Sequence, residues 1–287
     1  MMGAVVSFSA MALSARALGG HLSVFQILFL RSAVGLPLLV VGVFAAGGVA
    51  ALGALRTRKL GLHIGRNTIH VVGQLAWFYG VTVLPLATVF AMEYSSPLWA
   101  VLLAALFISE YPTRAQAGGL LLGLVGILVI VRPGAEGLDW AATIVLAAAM
   151  FFAAANLYTR VLGRTEQAIG IPFWMFVVQL PLGLLLALAD WRPIALADLP
   201  AILVLGLTGL TAHHSLSAAL RLAPISQVIH YDYLRLPLIA VVGALFYGEP
   251  LDPFVLGGGG IVLGGVFLAR SGGRAAPAPA RAAKALD

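Results

Sequence analysis

The most constraining feature of this sequence is the regular recurrence of apolar runs long enough to cross a lipid bilayer. A membrane-spanning helix needs about 20 predominantly apolar residues. Because lipid offers backbone groups no hydrogen-bond partners, each spanning run must be a helix. The sequence therefore predicts an all-α integral membrane protein with ten transmembrane helices. The predicted spans lie at about 3–20, 23–47, 64–84, 86–109, 116–132, 140–162, 168–189, 199–221, 225–247 and 253–270.

Composition supports a membrane environment and excludes several kinds of site. Apolar residues make up 61% of the 287 positions and charged residues only 10%, whereas a soluble domain carries about 25% charged residues. The absence of cysteine from the sequence excludes disulfides, thiolate metal sites and cysteine nucleophiles. The net charge of +6 comes from basic residues between the apolar runs, so it indicates membrane topology and not nucleic-acid binding.

The distribution of Lys and Arg predicts the orientation in the membrane. With a cytoplasmic N-terminus, twelve basic residues fall on the cytoplasmic side, and only Arg16, Arg132 and Arg192 fall outside. Short cytoplasmic loops carry the excess of basic residues in membrane proteins. Both termini are therefore predicted to be cytoplasmic, in a multi-pass protein of a bacterial inner membrane. The Ala- and Pro-rich segment 271–287 is predicted to be a disordered basic tail.

The chain contains an internal repeat. A shift of 139 residues matches Pro85 with Pro224, Glu93 with Asp232, Tyr94 with Tyr233 and Glu110 with Glu249. A shift of 144 residues matches Arg16 with Arg160 and Pro37 with Pro181. This predicts two five-helix repeats, 1–133 and 140–270, joined by a linker at 134–139. Five is odd, so the second copy enters the membrane from the opposite side. Inverted repeats are typical of secondary transporters, and a duplication kept only for packing is the alternative.

Short motifs recur at characteristic places along the spans. They are Phe29-Leu30-Arg31, Trp77-Phe78-Tyr79-Gly80, Leu84-Pro85-Leu86-Ala87, Ser96-Pro97-Leu98, Val131-Arg132-Pro133 and a helix-ending glutamate in each half, Glu110 and Glu249. Together they resemble the drug/metabolite transporter superfamily in its ten-helix, EamA-type branch, over nearly the whole chain. The resemblance implies alternating access around a cavity lined mainly by helices 1–4 and 6–9. It also implies export of a metabolite, with import or exchange as alternatives.

Four charged residues lie well inside predicted spans: Arg31, Glu93, Asp232 and Arg235. A charge at mid-membrane costs at least about 2.5–3.5 kcal/mol, so such residues normally pair or line a wet cavity. Similar depth predicts a pair between Arg31 and Glu93, and a spacing of three on one helix predicts a pair between Asp232 and Arg235. Two roles stay open for the carboxylates. They either join helices, or they bind a cationic or zwitterionic solute and carry protons.

Polar and aromatic side chains on the same spans complete the predicted cavity. Apolar walls with a few polar groups suit an amphiphilic metabolite, although any single aromatic could instead serve packing. His213 and His214 are adjacent and have no carboxylate at a suitable spacing, so no metal site is predicted. The predicted cavity residues are Arg31, Gln74, Trp77, Tyr79, Glu93, Tyr94, Asn156, Tyr158, Gln179, His230, Asp232, Tyr233 and Arg235.

These features predict a secondary active transporter for a small metabolite such as an amino acid or another zwitterionic or cationic solute. Proton coupling is an open option. An intramembrane enzyme is the remote alternative, and the sequence lacks the GxSxG and HExxH motifs that would favour it. No cofactor and no nucleic-acid partner are expected. The expected partners are the solute and membrane lipid, with the chain acting as a monomer or homodimer.

Overall fold

The computed structural model describes residues 1–131, 140–248 and 253–271, and all regular secondary structure in these ranges is helical. The first half contains α1 (Met2–Leu18), α2 (Val24–Ala51), α3 (Leu60–Val83), α4 (Leu86–Glu93), α5 (Ser96–Ile108) and α6 (Arg114–Val131). The second half contains α7 (Trp140–Leu162), α8 (Gly170–Ala187), α9 (Leu199–Leu222), α10 (Ile225–Val228), α11 (Arg235–Tyr247) and α12 (Pro253–Ser271). Short 3₁₀ segments lie at Leu52–Leu55, Leu188–Asp190, Leu196–Asp198 and Ile229–Leu234. The predicted linker, Glu249 and residues 272–287 of the predicted tail lie outside the described residues, whereas Ser271 ends α12.

The outer surface of the helices is apolar. Side chains such as Leu106, Leu185 and Phe246 are 68%, 68% and 77% exposed, respectively. A water-soluble protein rarely exposes such extensive apolar surface, so this surface suits lipid contact. Within the described part of the chain, four stretches are long and apolar enough to cross a membrane: Val24–Leu55, Trp140–Leu162, Gly170–Asp190 and Leu196–Leu222.

Two of the predicted spans are broken in the structure. The run at 86–109 divides into α4 and α5, and the run at 225–247 divides into α10, a 3₁₀ segment and α11. Pro97 lies in the first turn of α5 and has no N–H to donate to the carbonyl of Glu93, which accounts for the first break. The expectation of one continuous helix in each run is therefore wrong. The breaks place Glu93 at the end of α4 and Asp232 in the 3₁₀ segment.

Helix packing follows a regular pattern between the two halves. The main contacts are α1 with α9, α3 with α7, α2 with both α8 and α9, α5 with α7, α4 with both α7 and α11, and α6 with α12. Small residues allow the close contact between α6 and α12. A Cβ atom at Gly119 of α6 would lie 2.4 Å from the backbone oxygen of Gly265 of α12. Glycine at such a position lets two helix backbones approach closely.

Candidate functional site

Three charged side chains meet where the two spans are broken. Arg235 Nη2 donates to Glu93 Oε1 at 2.7 Å and to Asp232 Oδ2 at 2.5 Å. The indole N–H of Trp77 donates to the other carboxylate oxygen of Glu93 at 2.7 Å. Arg235 is only 2% exposed. This ionic centre therefore joins α3, α4 and the broken span of the second half.

Aromatic rings surround the guanidinium of Arg235. Its central carbon lies 4.9 Å from the ring centre of Phe8, 5.3 Å from that of Phe90 and 5.8 Å from that of Tyr94. Cations within about 6 Å of an aromatic face are attracted by the negative face of the ring. Three aromatic rings and two carboxylates thus surround Arg235, and all of them favour a cation at this position.

A second polar cluster surrounds Arg31, which is fully buried in α2. Arg31 Nη2 donates to Gln74 Oε1 at 3.0 Å and also to Gln179 Oε1. Its Nη1 lies 3.4 Å from His213 Nε2, and Gln179 Nε2 lies 3.0 Å from His70 Nδ1. Among the described residues, no carboxylate forms an ion pair with Arg31. The cluster therefore holds a buried positive charge among neutral groups.

The predicted pair between Arg31 and Glu93 is wrong. Arg31 bonds to the two glutamines, and Glu93 bonds to Arg235. The physical reason is that the two residues lie on helices with different neighbours. Helix α2 packs against α8 and α9, whereas α4 packs against α11. The second predicted pair, between Asp232 and Arg235, is present in the structure.

A small cavity lies between the two clusters. Its volume is about 50 Å³, which is room for a few waters but not for an organic solute. In this structure the cavity is therefore too narrow to hold a metabolite. The lining residues are Phe8, Met11, His70, Gln74, Trp77, Glu93, Ser96, Phe152, Asn156, His213, Leu216, Ile229, Asp232 and Arg235.

The other predicted cavity residues lie in different places. Arg31 and Gln179 lie behind the lining, and Tyr94 packs against Arg235. Tyr79 is 38% exposed, and the ring of Tyr158 packs beside Gly65 of α3, so the structure does not bring these two to the cavity wall. The side chains of His230 and Tyr233 lie outside the described part of the chain.

A polar stripe along α3 contains four groups that the sequence analysis missed. The stripe consists of His63, Arg66, Asn67, His70, Gln74 and Trp77, all of which are buried, and only Gln74 and Trp77 were predicted. Steps of mostly three or four residues place them on one side of the helix. Arg66, one of the twelve basic residues assigned to the cytoplasmic side, is buried in α3 and donates to Thr159 Oγ1 at 3.1 Å. The sequence signal that could have identified these residues is the helical spacing of polar side chains within an otherwise apolar span.

A larger crevice of about 890 Å³ lies on another face of α9, beside the beginning of α1 and the end of α12. Among the described residues, its lining includes Met2, Ser215, Leu222 and Val266 but no Asp, Glu, Lys or Arg side chain. Because its described walls are mainly apolar, this crevice suits contact with lipid. The small cavity is the candidate functional site.

Helices with apolar outer faces, packed around a small cavity with buried charges, are the architecture of a membrane carrier. The sequence profile described as "EamA-like transporter family" matches the chain twice, over residues 1–132 and 139–271. The chain belongs to the EamA-like transporter family, as the resemblance to drug/metabolite transporters implied. It is a multi-pass membrane transporter and not an enzyme.

Several relatives have named solutes. A riboflavin transporter of Rhizobium johnstonii is 30% identical, over 77% of this chain and 74% of that protein. An S-adenosylmethionine uptake transporter of Rickettsia felis is 26% identical, over 90% of this chain and 87% of that protein. A pseudopaline exporter of Pseudomonas aeruginosa is 26% identical, over 90% of this chain and 89% of that protein. These names cover different solutes and both directions of transport.

One solved crystal structure superposes on the chain with a TM-score of 0.75. The superposition covers 93% of this chain and 94% of the other, at 18% sequence identity. At this identity, the likeness shows a shared fold and nothing about the solute.

Proposed function

We propose that the chain is a secondary active transporter that moves a small zwitterionic metabolite by alternating access. The observation that carries this proposal is that groups of opposite charge lie on the two sides of one small cavity. Glu93 and Asp232 share a single arginine, so the ionic centre has one net negative charge. The cluster around Arg31 has one net positive charge among the described residues. A solute with one cationic and one anionic group complements both ends.

The distance between the two ends suits one small molecule. Gln74 bonds to Arg31, and Trp77 bonds to Glu93. These two residues are three apart on α3, so their Cβ atoms lie about 5–6 Å apart on one face. A carboxylate in the cavity would lie beside Gln74 and His213, which line it and contact Arg31. An amine or another cation would then lie near Glu93. An amino acid or a related amphiphile has this arrangement of charges.

We also propose the architecture of ten spans in two inverted repeats, with both termini cytoplasmic. Two successive matches to the family profile support the repeats. The packing supports them too: if α7 corresponds to α1 and α9 to α3, the α1–α9 and α3–α7 contacts are equivalent. A reporter that is active only in the periplasm, fused after Asp287, is expected to give no signal. A strong signal would contradict the orientation.

Export is the proposed direction, and uptake is the second candidate. The similarity to a pseudopaline exporter supports export, whereas the similarity to S-adenosylmethionine uptake transporters favours uptake. Direction depends on which gradient drives the carrier, so both candidates use the same cavity. Flux measured in both directions across one membrane, with the orientation of the protein known, distinguishes them.

The test of the function is a flux assay in proteoliposomes with and without a pH gradient. The solutes are L-lysine, L-arginine, S-adenosylmethionine and riboflavin, with the methyl esters of the two amino acids as matched controls. We expect a zwitterion to be carried and its methyl ester to be rejected, because the ester lacks the carboxylate for the Arg31 end. Flux of riboflavin alone, or equal flux of acid and ester, would overturn the zwitterion proposal. Tyr79→Phe is the control variant, since this side chain lies away from the cavity.

A further inference from the structure

The position of Arg235 is unusual for a residue that only joins two helices. Its guanidinium lies at the cavity wall, in contact with both carboxylates of the ionic centre and facing three aromatic rings. Aromatic rings around a cation form the kind of cage that proteins use to recognise organic ammonium groups. The chemistry around Arg235 is therefore that of a binding site for an organic cation, filled by a side chain of the protein itself.

The backbone around Arg235 allows the side chain to leave this cage. Arg235 is the first residue of α11 and follows the 3₁₀ segment Ile229–Leu234. Hydrogen-bond geometry in 3₁₀ segments is poorer than in an α-helix, and such segments inside a span often mark a hinge. In addition, Arg235 Nε is buried without a hydrogen-bond partner among the described residues. A shift at this break can withdraw the guanidinium without unwinding the interior of α11.

Withdrawal of the Arg235 guanidinium would change both the volume and the charge of the cavity. At about 50 Å³ the space is too small for a metabolite while Arg235 is in place. Removing the guanidinium from the cage would enlarge the cavity beside Glu93 and Asp232. It would also leave both carboxylates without a cation, and an incoming ammonium or guanidinium group would replace it.

We propose that Arg235 is a resident cation that occupies the cation subsite of the empty carrier and is displaced by the cationic group of the solute. This inference rests on the proposed function and adds the ligand class of one subsite, an alkylammonium or alkylguanidinium group. Because Arg235 contributes one positive charge to the ionic centre, as the cationic group of the cargo would, the centre has the same net charge in the empty and loaded carrier. The empty carrier can then reorient without cargo, so transport is not restricted to exchange.

The test is binding of methylguanidinium to the purified full-length protein, measured by thermal unfolding. Arg235→Ala empties the cage, so this variant is expected to unfold at a lower temperature and to recover when methylguanidinium chloride is added. The wild-type protein, in which the probe must first displace Arg235, is expected to show a smaller shift at the same concentration. Arg31→Ala is the matched control, because it also removes a fully buried arginine but one without a carboxylate partner among the described residues. Sodium chloride at equal ionic strength controls for salt.

Two further variants keep the inference testable if Arg235→Ala does not fold. Asp232→Asn with Arg235→Gln leaves one unpaired carboxylate instead of two, and it should still be stabilised by methylguanidinium through Glu93. Adding Glu93→Gln removes the last carboxylate, and the stabilisation should then disappear. No stabilisation of any Arg235 variant, or stabilisation of the wild-type protein and the Arg31→Ala variant equal to that of the Arg235 variants, would overturn the inference.

Binding and transport can fail separately. If methylguanidinium stabilises the Arg235 variants but the wild-type protein carries no zwitterion, the proposed function falls and the cation subsite stands. If zwitterions are carried but methylguanidinium has no effect, the resident-cation inference alone is wrong.

Discussion

Arg16 and Arg160 make equivalent contacts in the two halves of the chain. Arg16 Nη1 donates to the backbone oxygen of Val81 at 3.1 Å, near the end of α3, and Arg160 Nη1 donates to that of Leu220 at 2.7 Å, near the end of α9. The shift of 144 residues relates the two arginines, and the shift of 139 residues relates the two acceptors. This equivalence supports the proposed repeats. It also suggests that the two contacts close opposite ends of the carrier.

The first prediction concerns the contacts of Arg16 and Arg160, each of which closes one end of the carrier. Under the proposed orientation Arg160 lies near the cytoplasm, where it also pairs with Glu110 at 2.8 Å. Arg160→Gln removes this pair, so we expect the carrier to open more often to the cytoplasm. A hydrogen bond to a charged group contributes about 1.5–3 kcal/mol, which corresponds to a change in the open population of about tenfold or more. Arg16→Gln is expected to favour opening to the outside.

The chain has no cysteine, so one introduced thiol can measure this opening. Ser96 lines the cavity, and Ser96→Cys would be labelled by a membrane-impermeant maleimide only when the cavity is open. Labelling from the cytoplasmic side should be faster in the Arg160→Gln background. Arg192→Gln is the control, because the pair of Arg192 with Asp190 is about half exposed and contributes little. Equal labelling rates in all backgrounds would contradict the assignment of Arg160 as a closure.

Hydropathy predicted where helices lie better than it predicted their continuity. The span 140–162 coincides with α7, and every other predicted span lies on helical structure. The breaks between α4 and α5 and before α11 were missed because hydropathy averaged over a whole run does not report a local break, although both breaks lie where polar residues interrupt the run, around Glu93 and Asp232. Pro97 was a usable local signal for the first break, since proline removes one backbone hydrogen bond of a helix.

Depth in the membrane predicted the wrong partner for Glu93. Counting residues from the end of a span fixes one coordinate, whereas pairing also depends on which helices are neighbours. The neighbours were not determined by the sequence pattern, so Arg31 was placed with Glu93 and not with Gln179. Spacing within one helix needs no such knowledge, which explains why Asp232 and Arg235 were paired correctly.

The second prediction concerns the close packing of α6 and α12. Gly119→Ala places a Cβ 2.4 Å from the backbone oxygen of Gly265, so the helices must separate. Overpacking of this kind costs about 1–3 kcal/mol. Gly118→Ala is the neighbouring control, since its nearest contact would be a leucine side chain at 3.4 Å. Thermal unfolding in detergent should show a lower midpoint for Gly119→Ala than for Gly118→Ala; the reverse order would contradict the packing.

The third prediction concerns the anionic end of the solute. Gln179→Leu removes one acceptor of Arg31 and the hydrogen bond to His70. The Arg31 guanidinium would then lose its fixed position, and we expect affinity for a carboxylate-containing solute to fall about tenfold or more, the equivalent of one hydrogen bond to a charged group. Binding of the corresponding methyl ester should change little. A similar loss for acid and ester would assign Gln179 a purely structural role.

The fourth prediction separates the two open roles of the ionic centre. Arg235 bonds to Asp232 as well as to Glu93, so Glu93→Gln does not leave the arginine without a partner. We therefore expect Glu93→Gln to reach the membrane in near-normal amounts and to lose accumulation of solute against a gradient. Arg235→Leu leaves two carboxylates unpaired. Breaking a buried pair in this way costs about 3–5 kcal/mol, so membrane abundance should fall sharply.

The deciding variant combines Glu93→Gln, Asp232→Asn and Arg235→Gln. It removes every charge of the ionic centre, with amides of nearly the same size at the two carboxylates, so no buried charge is left without a partner. Abundance should therefore recover, as measured by immunoblotting of membranes. Recovery of abundance without transport means that the carboxylates act on the solute or its coupling ion, and this is the expected result. Recovery of both would mean that the charges serve only to join the helices, because the cavity would then work without them.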